Sequence, residues 1–271
     1  MKFLRQCLVL LAITATAWMA YGQQAEAAET EKTLLPFHAI DCQGTYRGHL
    51  QGVCCDSAGG VYWSFTDRLV KTDTEGQILV AVDAPSHQGD LCYRDGKVYV
   101  AVNLGQFNQP AGKADSWVFV YDAETFKEIS RHDVSEVVHG AGGMDDYEGH
   151  FYVIGGLPPG TNENYAYEYD ANFKFVQRHV IESGYTLMGI QTATFHDGHW
   201  WFGCYGKPAE LIRTSPEFKE VKRWPYDAAL GIIGVGPGKF LIGRDTNTKQ
   251  GHVGKLVPAV VSDESGLKDV K

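Results

Sequence analysis

The chain has 271 residues, 44% apolar and 12% aromatic, enough to bury the core of one large domain or two small ones. Its 24 basic and 33 acidic side chains leave a formal charge of −9, with no Lys/Arg cluster. Nucleic acid is therefore excluded as an expected partner, since such binders carry a basic patch.

Lys2 and Arg5 stand before an apolar run from Cys7 to Ala20, and small residues follow. This pattern predicts a signal peptide over 1–27, cut after Gly22 or Ala27. The run is too short for a stable bilayer span. The mature protein is thus expected to be exported, periplasmic or extracellular, with no membrane attachment after cleavage. Loss of Cys7 leaves Cys42, Cys54, Cys55, Cys92 and Cys204. An odd set without Cys-x-x-Cys spacing argues against a zinc ribbon or a disulfide scaffold, so the core must hold the fold.

The next segment, TLLPFHAID (33–41), reads as a strand with no partner nearby. Five segments then share one frame: GVCCDSAGGVYWSFT (52–66), GDLCYRDGKVYVAVN (89–103), GGMDDYEGHFYVIGG (142–156), QTATFHDGHWWFGCY (191–205) and GIIGVGPGKFLIGRD (231–245). Each holds a strand, a turn with glycine at one register, and a second strand. The turn glycines are Gly59, Gly96, Gly149, Gly198 and Gly238. Tight hairpins need positive φ, which glycine adopts without steric cost. The second strands begin at Val61, Val98, Phe151, Trp200 and Phe240, spaced by 37, 53, 49 and 40 residues. About 40–50 residues per repeat is the spacing of propeller blades.

More strand-like pieces follow each hairpin, as in RLVKTDTEGQILVAVD after the first, so each repeat predicts a four-stranded antiparallel unit. The second strands are apolar on both faces, as in VYVAV, FYVI and HWWF. A two-layer sandwich covers one face and preserves alternation, whereas stacked blades cover both. The prediction is an all-β, five-bladed β-propeller over 33–261. The fifth repeat lacks a clear fourth strand, and 33–41 is expected to supply it and seal the ring. Residues 262–271 are read as a polar tail outside the domain.

The stretch QGVCCDSAGGVYWSFTDRLVKTDTEGQIL (51–79) resembles one repeat of the NHL or SMP-30/gluconolactonase-like propeller class. The resemblance implies a propeller. Such propellers usually have six blades, where five are counted here. The class includes metal-dependent lactonases and scaffolds without chemistry, and no full lactonase ligand set maps onto this chain.

Long loops gather at one end of the predicted blades: NLGQFNQPAGKADSW, GGLPPGTNENY, CYGKPAE and RDTNTKQGH. Loops on one rim of a rigid scaffold are the usual home of binding. Residues that break the repeat frame there are the candidates. Asp90 replaces Val53, Gly143, Thr192 and Ile232, none of them charged, and Gln191 replaces four glycines. Gln51, Asn103, Gln191 and Tyr205 form an expected ligand-binding arc, with Phe107 and Tyr205 suited to stacking on a sugar ring. Asp90 and Asp245 are candidate catalytic carboxylates, since a pair suffices for glycoside hydrolysis. Arg244 is a candidate clamp for a substrate carboxylate. His49, His87 and His139 approach the same region. They either hold zinc, manganese, iron or calcium, with Asp90 or Gln191 completing the shell, or cap the blade crossings by bonding backbone. Cys204 is a nucleophile candidate or inert packing.

Three functions follow. The first is binding of a small polar ligand, a carbohydrate or acidic sugar, in the loop-rich mouth. The second is a metal-dependent hydrolase or lyase. The third is a protein-interaction scaffold.

Overall fold

In the computed structural model, residues 35–270 are described; the segment read as a signal peptide lies outside them. Strand β1 (Ile40–Asp41) comes first, and five sheets follow in chain order. Blade 1 is β2 (Leu50–Cys55), β3 (Val61–Phe65), β4 (Arg68–Thr72) and β5 (Ile78–Asp83). Blade 2 is β6 (Gln88–Arg94), β7 (Lys97–Asn103), β8 (Ser116–Asp122) and β9 (Glu128–Asp133). Blade 3 is β10 (Ala141–Tyr147), β11 (His150–Gly155), β12 (Asn164–Tyr169) and β13 (Phe175–Ile181). Blade 4 is β14 (Leu187–His196), β15 (His199–Tyr205), β16 (Glu210–Thr214) and β17 (Lys222–Trp224). Blade 5 contains β18 (Ile232–Gly236), β19 (Lys239–Thr248) and β20 (Gly251–Ser262), joined by β21 (Gly266–Asp269). Every pairing is antiparallel between neighbours in each sheet, which makes the five-bladed propeller read from the repeats.

The turn glycines do what the frame requires. Gly96 and Gly198 have φ of 73° and 70°. A Cβ there would meet nothing within 4 Å, so the demand is conformational and not steric. The double-sided aromatic strand β15 divides its rings between two neighbours. Trp200 and Phe202 pack toward blade 3 with Ile154 and Ala166, while Trp201 packs toward blade 5 with Ile232, Phe240 and Ala259. Trp200 and Trp201 are each 1% exposed. Burying one such ring stabilises by at most about 4–6 kcal/mol on area alone.

The ring closes on blade 5. β1 pairs with β20 through Ile40↔Leu256 and Asp41↔Lys255, so the N-terminal strand does seal the last blade. It covers only part of the edge. β21 takes the rest, with Val260↔Lys268 and Val261↔Leu267. The tail therefore does not lie outside the domain as its polarity suggested. One apolar residue anchors it: Leu267 is fully buried beside Trp201, Leu211 and Phe240. Outside, Asp269 holds Arg244 and the Tyr226 hydroxyl.

Candidate functional site

The loop-rich end of the axis opens into a cavity of about 910 Å³. Its polar floor comes from the starts of the innermost strands and the crossings that lead into them. Gln51 on β2 sits between two imidazoles, with its Nε2 3.0 Å from His49 Nε2 and 2.9 Å from His87 Nε2. Thr66 Oγ1 lies 3.3 Å away on the same nitrogen. An amide nitrogen has two hydrogens, shared here among three acceptors, and no acceptor capacity, so an imidazole bonded to it accepts through Nε2 and carries its proton on Nδ1. Desolvation pushes the His49 pKa down; nearby Asp245 opposes this and His252 reinforces it. The His87 ring is partly open, yet the cavity wall desolvates it enough to lower its pKa, and His49 adds to the effect. Both shifts favour the neutral imidazole.

Tyr205, at the end of β15, brings its hydroxyl 3.4 Å from His49 Nε2. Burial, with the charges of Asp227 and Asp245, pushes its pKa up to about 12, so it remains a donor. Gln191 donates from Nε2 to the carbonyls of Met188 (2.8 Å) and Gly189 (3.3 Å). The side-chain oxygens of Gln51 and Gln191 accept nothing from the described residues. Both residues line the cavity, so both oxygens are available to a ligand. Asn103 also lines it, but its amide is used up in its own loop, donating to Gly105 O and accepting from Asp115 N, each at 3.0 Å. The rim is apolar: Phe107, Leu187, Met188 and Leu230, with Lys207 as the cation at the mouth.

Three sequence candidates are placed elsewhere. Asp90 is 1% exposed and does not reach the cavity. Its Oδ1 accepts from Val53 N (3.2 Å) on blade 1 and its Oδ2 from Ala193 N (3.1 Å) on blade 4. It fastens three blades across the axis. Its odd position in the frame has a structural cause: Gly52 faces it so closely that a Cβ there would lie 2.2 Å from its carboxylate. Arg244 points away because successive residues of a strand face opposite sides. Its guanidinium bonds Asp227 O, the Tyr226 hydroxyl and Asp269. His139 does not join His49 and His87; its Nδ1 donates to Gln109 O at 2.9 Å and fixes a loop. His139 thus bonds a backbone carbonyl, and the described residues do not bring the three histidines together.

Asp245 does line the cavity, but both of its oxygens are engaged. Oδ1 accepts from Leu50 N (3.0 Å) and Oδ2 from His252 Nδ1 (2.7 Å). The Asp90–Asp245 pair is thus not set up for two-carboxylate chemistry. Cys204 is fully buried and its thiol pKa is pushed up, chiefly by burial, which removes the thiolate that nucleophilic attack needs. The described cysteines are all free. Sequence reasoning missed His252, which sits behind His49 with ring centroids 6.0 Å apart. It also missed the apolar rim. The signal for the rim was present in Leu187 and Met188, two large apolar residues just before the β14 frame residues.

No protein-family model matches the sequence, and no curated protein matches it. Among solved structures, glutaminyl cyclase of Myxococcus xanthus superposes with a TM-score of 0.57 at 12% identity, covering 83% of this chain and 95% of its own. A protein of unknown function from Bacteroides caccae superposes with a TM-score of 0.51 at 12% identity, covering 87% of this chain and 95% of its own. At such identity the likeness is one of fold, and the fold this chain shares is the β-propeller.

Proposed function

We propose that the chain is an exported propeller that binds a small polar ligand, of carbohydrate or acidic-sugar type, in the axial cavity. One observation carries this reading: two free amide oxygens, of Gln51 and Gln191, border the open cavity at the loop-rich end of the axis. Two acceptors flanked by neutral imidazoles and a tyrosine hydroxyl suit a ligand rich in hydroxyl groups. Phe107 and Leu230 suit the apolar face of a sugar ring, and Lys207 suits an acidic substituent. The volume, about 910 Å³, lies within the ~300–1,000 Å³ usual for small-molecule sites. Kinship with NHL or SMP-30 propellers belongs to this reading through the motif at 51–79.

Calorimetry of the mature protein against neutral sugars and uronic acids tests it. At least one sugar should bind saturably, and Gln51→Ala should weaken that binding about tenfold. A protein indifferent to every sugar and acid in the set would sink the proposal and favour the scaffold reading.

A second reading, a metal-dependent hydrolase or lyase, has one observation in its favour. The Nε2 atoms of His49 and His87 both lie within about 3 Å of the Gln51 amide, so turning that amide would bring its oxygen and two imidazoles round one point. With His139 absent, Gln51 Oε1 or solvent would have to complete the shell. Stoichiometric transition metal in the purified protein, lost in His87→Ala, is the outcome this reading requires.

A further inference from the structure

A second cleft, of about 320 Å³, lies beside the outer strands of blade 4 and shares no residue with the axial cavity. One wall carries Arg213 on β16 with Lys222 and Trp224 on β17. The other is the β20–β21 turn, with Ser262, Asp263 and Gly266. The tail strand thus builds half of it. Gly266 packs straight onto the indole, since a Cβ there would lie 2.7 Å from Trp224.

Arg213 and Lys222 stand directly opposite each other across the antiparallel pair. Such side chains share a face with Cβ atoms about 5 Å apart, and like charges there repel. Neither has an ion pair or a side-chain hydrogen bond among the described residues. The Arg213 guanidinium lies 5.3 Å from the centre of the Trp201 ring and 5.6 Å from that of Trp224. These cation–ring contacts use none of its N–H groups in a hydrogen bond, so its donors remain free for a ligand. The neighbouring cation, Arg223, is already taken by Glu210 and the carbonyls of Ser183 and Tyr185. Elsewhere Arg47, Arg68, Arg94, Arg131 and Arg244 each have a carboxylate partner. Arg178, like Arg213, lies over an aromatic ring without a carboxylate partner among the described residues; what sets the Arg213–Lys222 pair apart is that two unpaired cations face each other across one strand pair at the wall of a cleft.

We propose that this cleft binds the anionic group of a small molecule, a phosphate, sulfate or carboxylate, between the Arg213 edge and the Lys222 ammonium. Arginine offers two parallel N–H donors to such a group, and lysine adds a point charge. Asp263 and Ser262, on the facing wall, meet hydrogen-bond donors on the rest of the ligand and disfavour a continuous polyanion. The volume is at the small end for ligand sites, which fits a compact anion and not a chain.

The test uses the mature protein labelled with 15N at low ionic strength, titrated separately with inorganic phosphate, sulfate and acetate. At least one anion should shift the indole N–H signals of Trp201 and Trp224 saturably, and the tightest of the three names the group. Arg213→Gln should weaken that binding about tenfold. Lys222→Glu should abolish it while raising the thermal midpoint, because the substitution places a carboxylate opposite Arg213; the rise also shows that the variant is folded. Arg47→Gln, far along the sequence and outside the cleft, should change nothing. Absence of a saturable shift up to about 20 mM with all three anions, or a shift that survives Lys222→Glu, overturns the assignment.

Discussion

Two groups of buried polar side chains sit on the innermost strands, one within the axis and one at its mouth, and they differ in what they leave unsatisfied. Within the axis, Asp90 bonds amides of blades 1 and 4, and Asp145 Oδ2 accepts from Phe195 N at 2.7 Å to join blades 3 and 4. At the mouth, Gln51 and Gln191 use their donors and keep their oxygens free. On the proposed reading, burial and charge therefore do not mark where a ligand would bind. Asp90 is the more buried and the more unusual in its frame, yet the backbone exhausts it. Under the proposed reading, unused acceptors facing the open cavity are the better mark, because they stay free for a ligand while the Asp90 oxygens are committed to backbone amides.

The harshest way to break this contrast is to remove the scaffold under both groups. Trp200→Ala empties a fully packed position between Tyr147, Tyr152, Phe202 and Phe218. The expected cost is about 3–5 kcal/mol, read from urea unfolding followed by circular dichroism. Ligand binding and fold should be lost together.

Asp90→Ala separates the two groups. It strips the Val53 and Ala193 amides of their acceptor and should cost about 2–4 kcal/mol. The folded fraction should bind ligand as the parent does. A stable variant with impaired binding would show that Asp90 serves the mouth after all.

The fold was legible because its signals are local and repeated. A glycine at one register and a strand apolar on both faces recur in each unit, and each has a single mechanical reading. Blade 5 was only half legible. β21 is held by one leucine in a polar stretch, and a single apolar residue has no periodicity to detect. The site was less legible still, because its identity depends on which way side chains point. Arg244 and Asp245 are neighbours in β19 and face opposite ways. Asp90 and Gln191 both break the frame, but one is enclosed by backbone and the other borders the cavity. His139 carries the same residue type as His49 in an equivalent position, and a loop carbonyl captures it. The alternation that parts Arg244 from Asp245 is readable from the strand itself, but which of the two faces inward, and the fates of Asp90 and His139, are not encoded by residue type and spacing.

A gentler probe is pH. Desolvation depresses the His49 and His87 pKa values in the folded chain, so the unfolded chain binds protons first on acidification. Their neutral-state contribution is intact above the ordinary histidine value of about 6.5 and is lost as pH falls through the lower folded values. A protonated Nε2 also ceases to accept from Gln51. Stability and ligand affinity should therefore both fall below about pH 6.5, and His49→Asn with His87→Asn should flatten both profiles. Urea midpoints and calorimetry at a series of pH values check this. A pH-independent affinity would mean that the ligand does not engage the histidine floor.

The smallest expected effect sharpens the contrast at one strand. Arg244 joins Asp269 on the tail at 3.1 Å, but its side chain is 26% exposed and that of Asp269 is 51% exposed. Solvent screens such a pair, so Arg244→Ala should cost about 0.5–1 kcal/mol, seen as a fall of about 1–4 °C in thermal midpoint. Asp245 is one residue away, with both oxygens engaged behind the cavity floor. Asp245→Asn should disturb the orientation of His252 and the start of β2, and so weaken ligand binding, which Arg244→Ala should leave unchanged. Calorimetry on the two variants side by side decides whether the alternation of β19 divides binding from ring closure. Weakened binding in Arg244→Ala would mean that closure and mouth are coupled through this strand, and that the outer edge of blade 5 helps to shape the cavity.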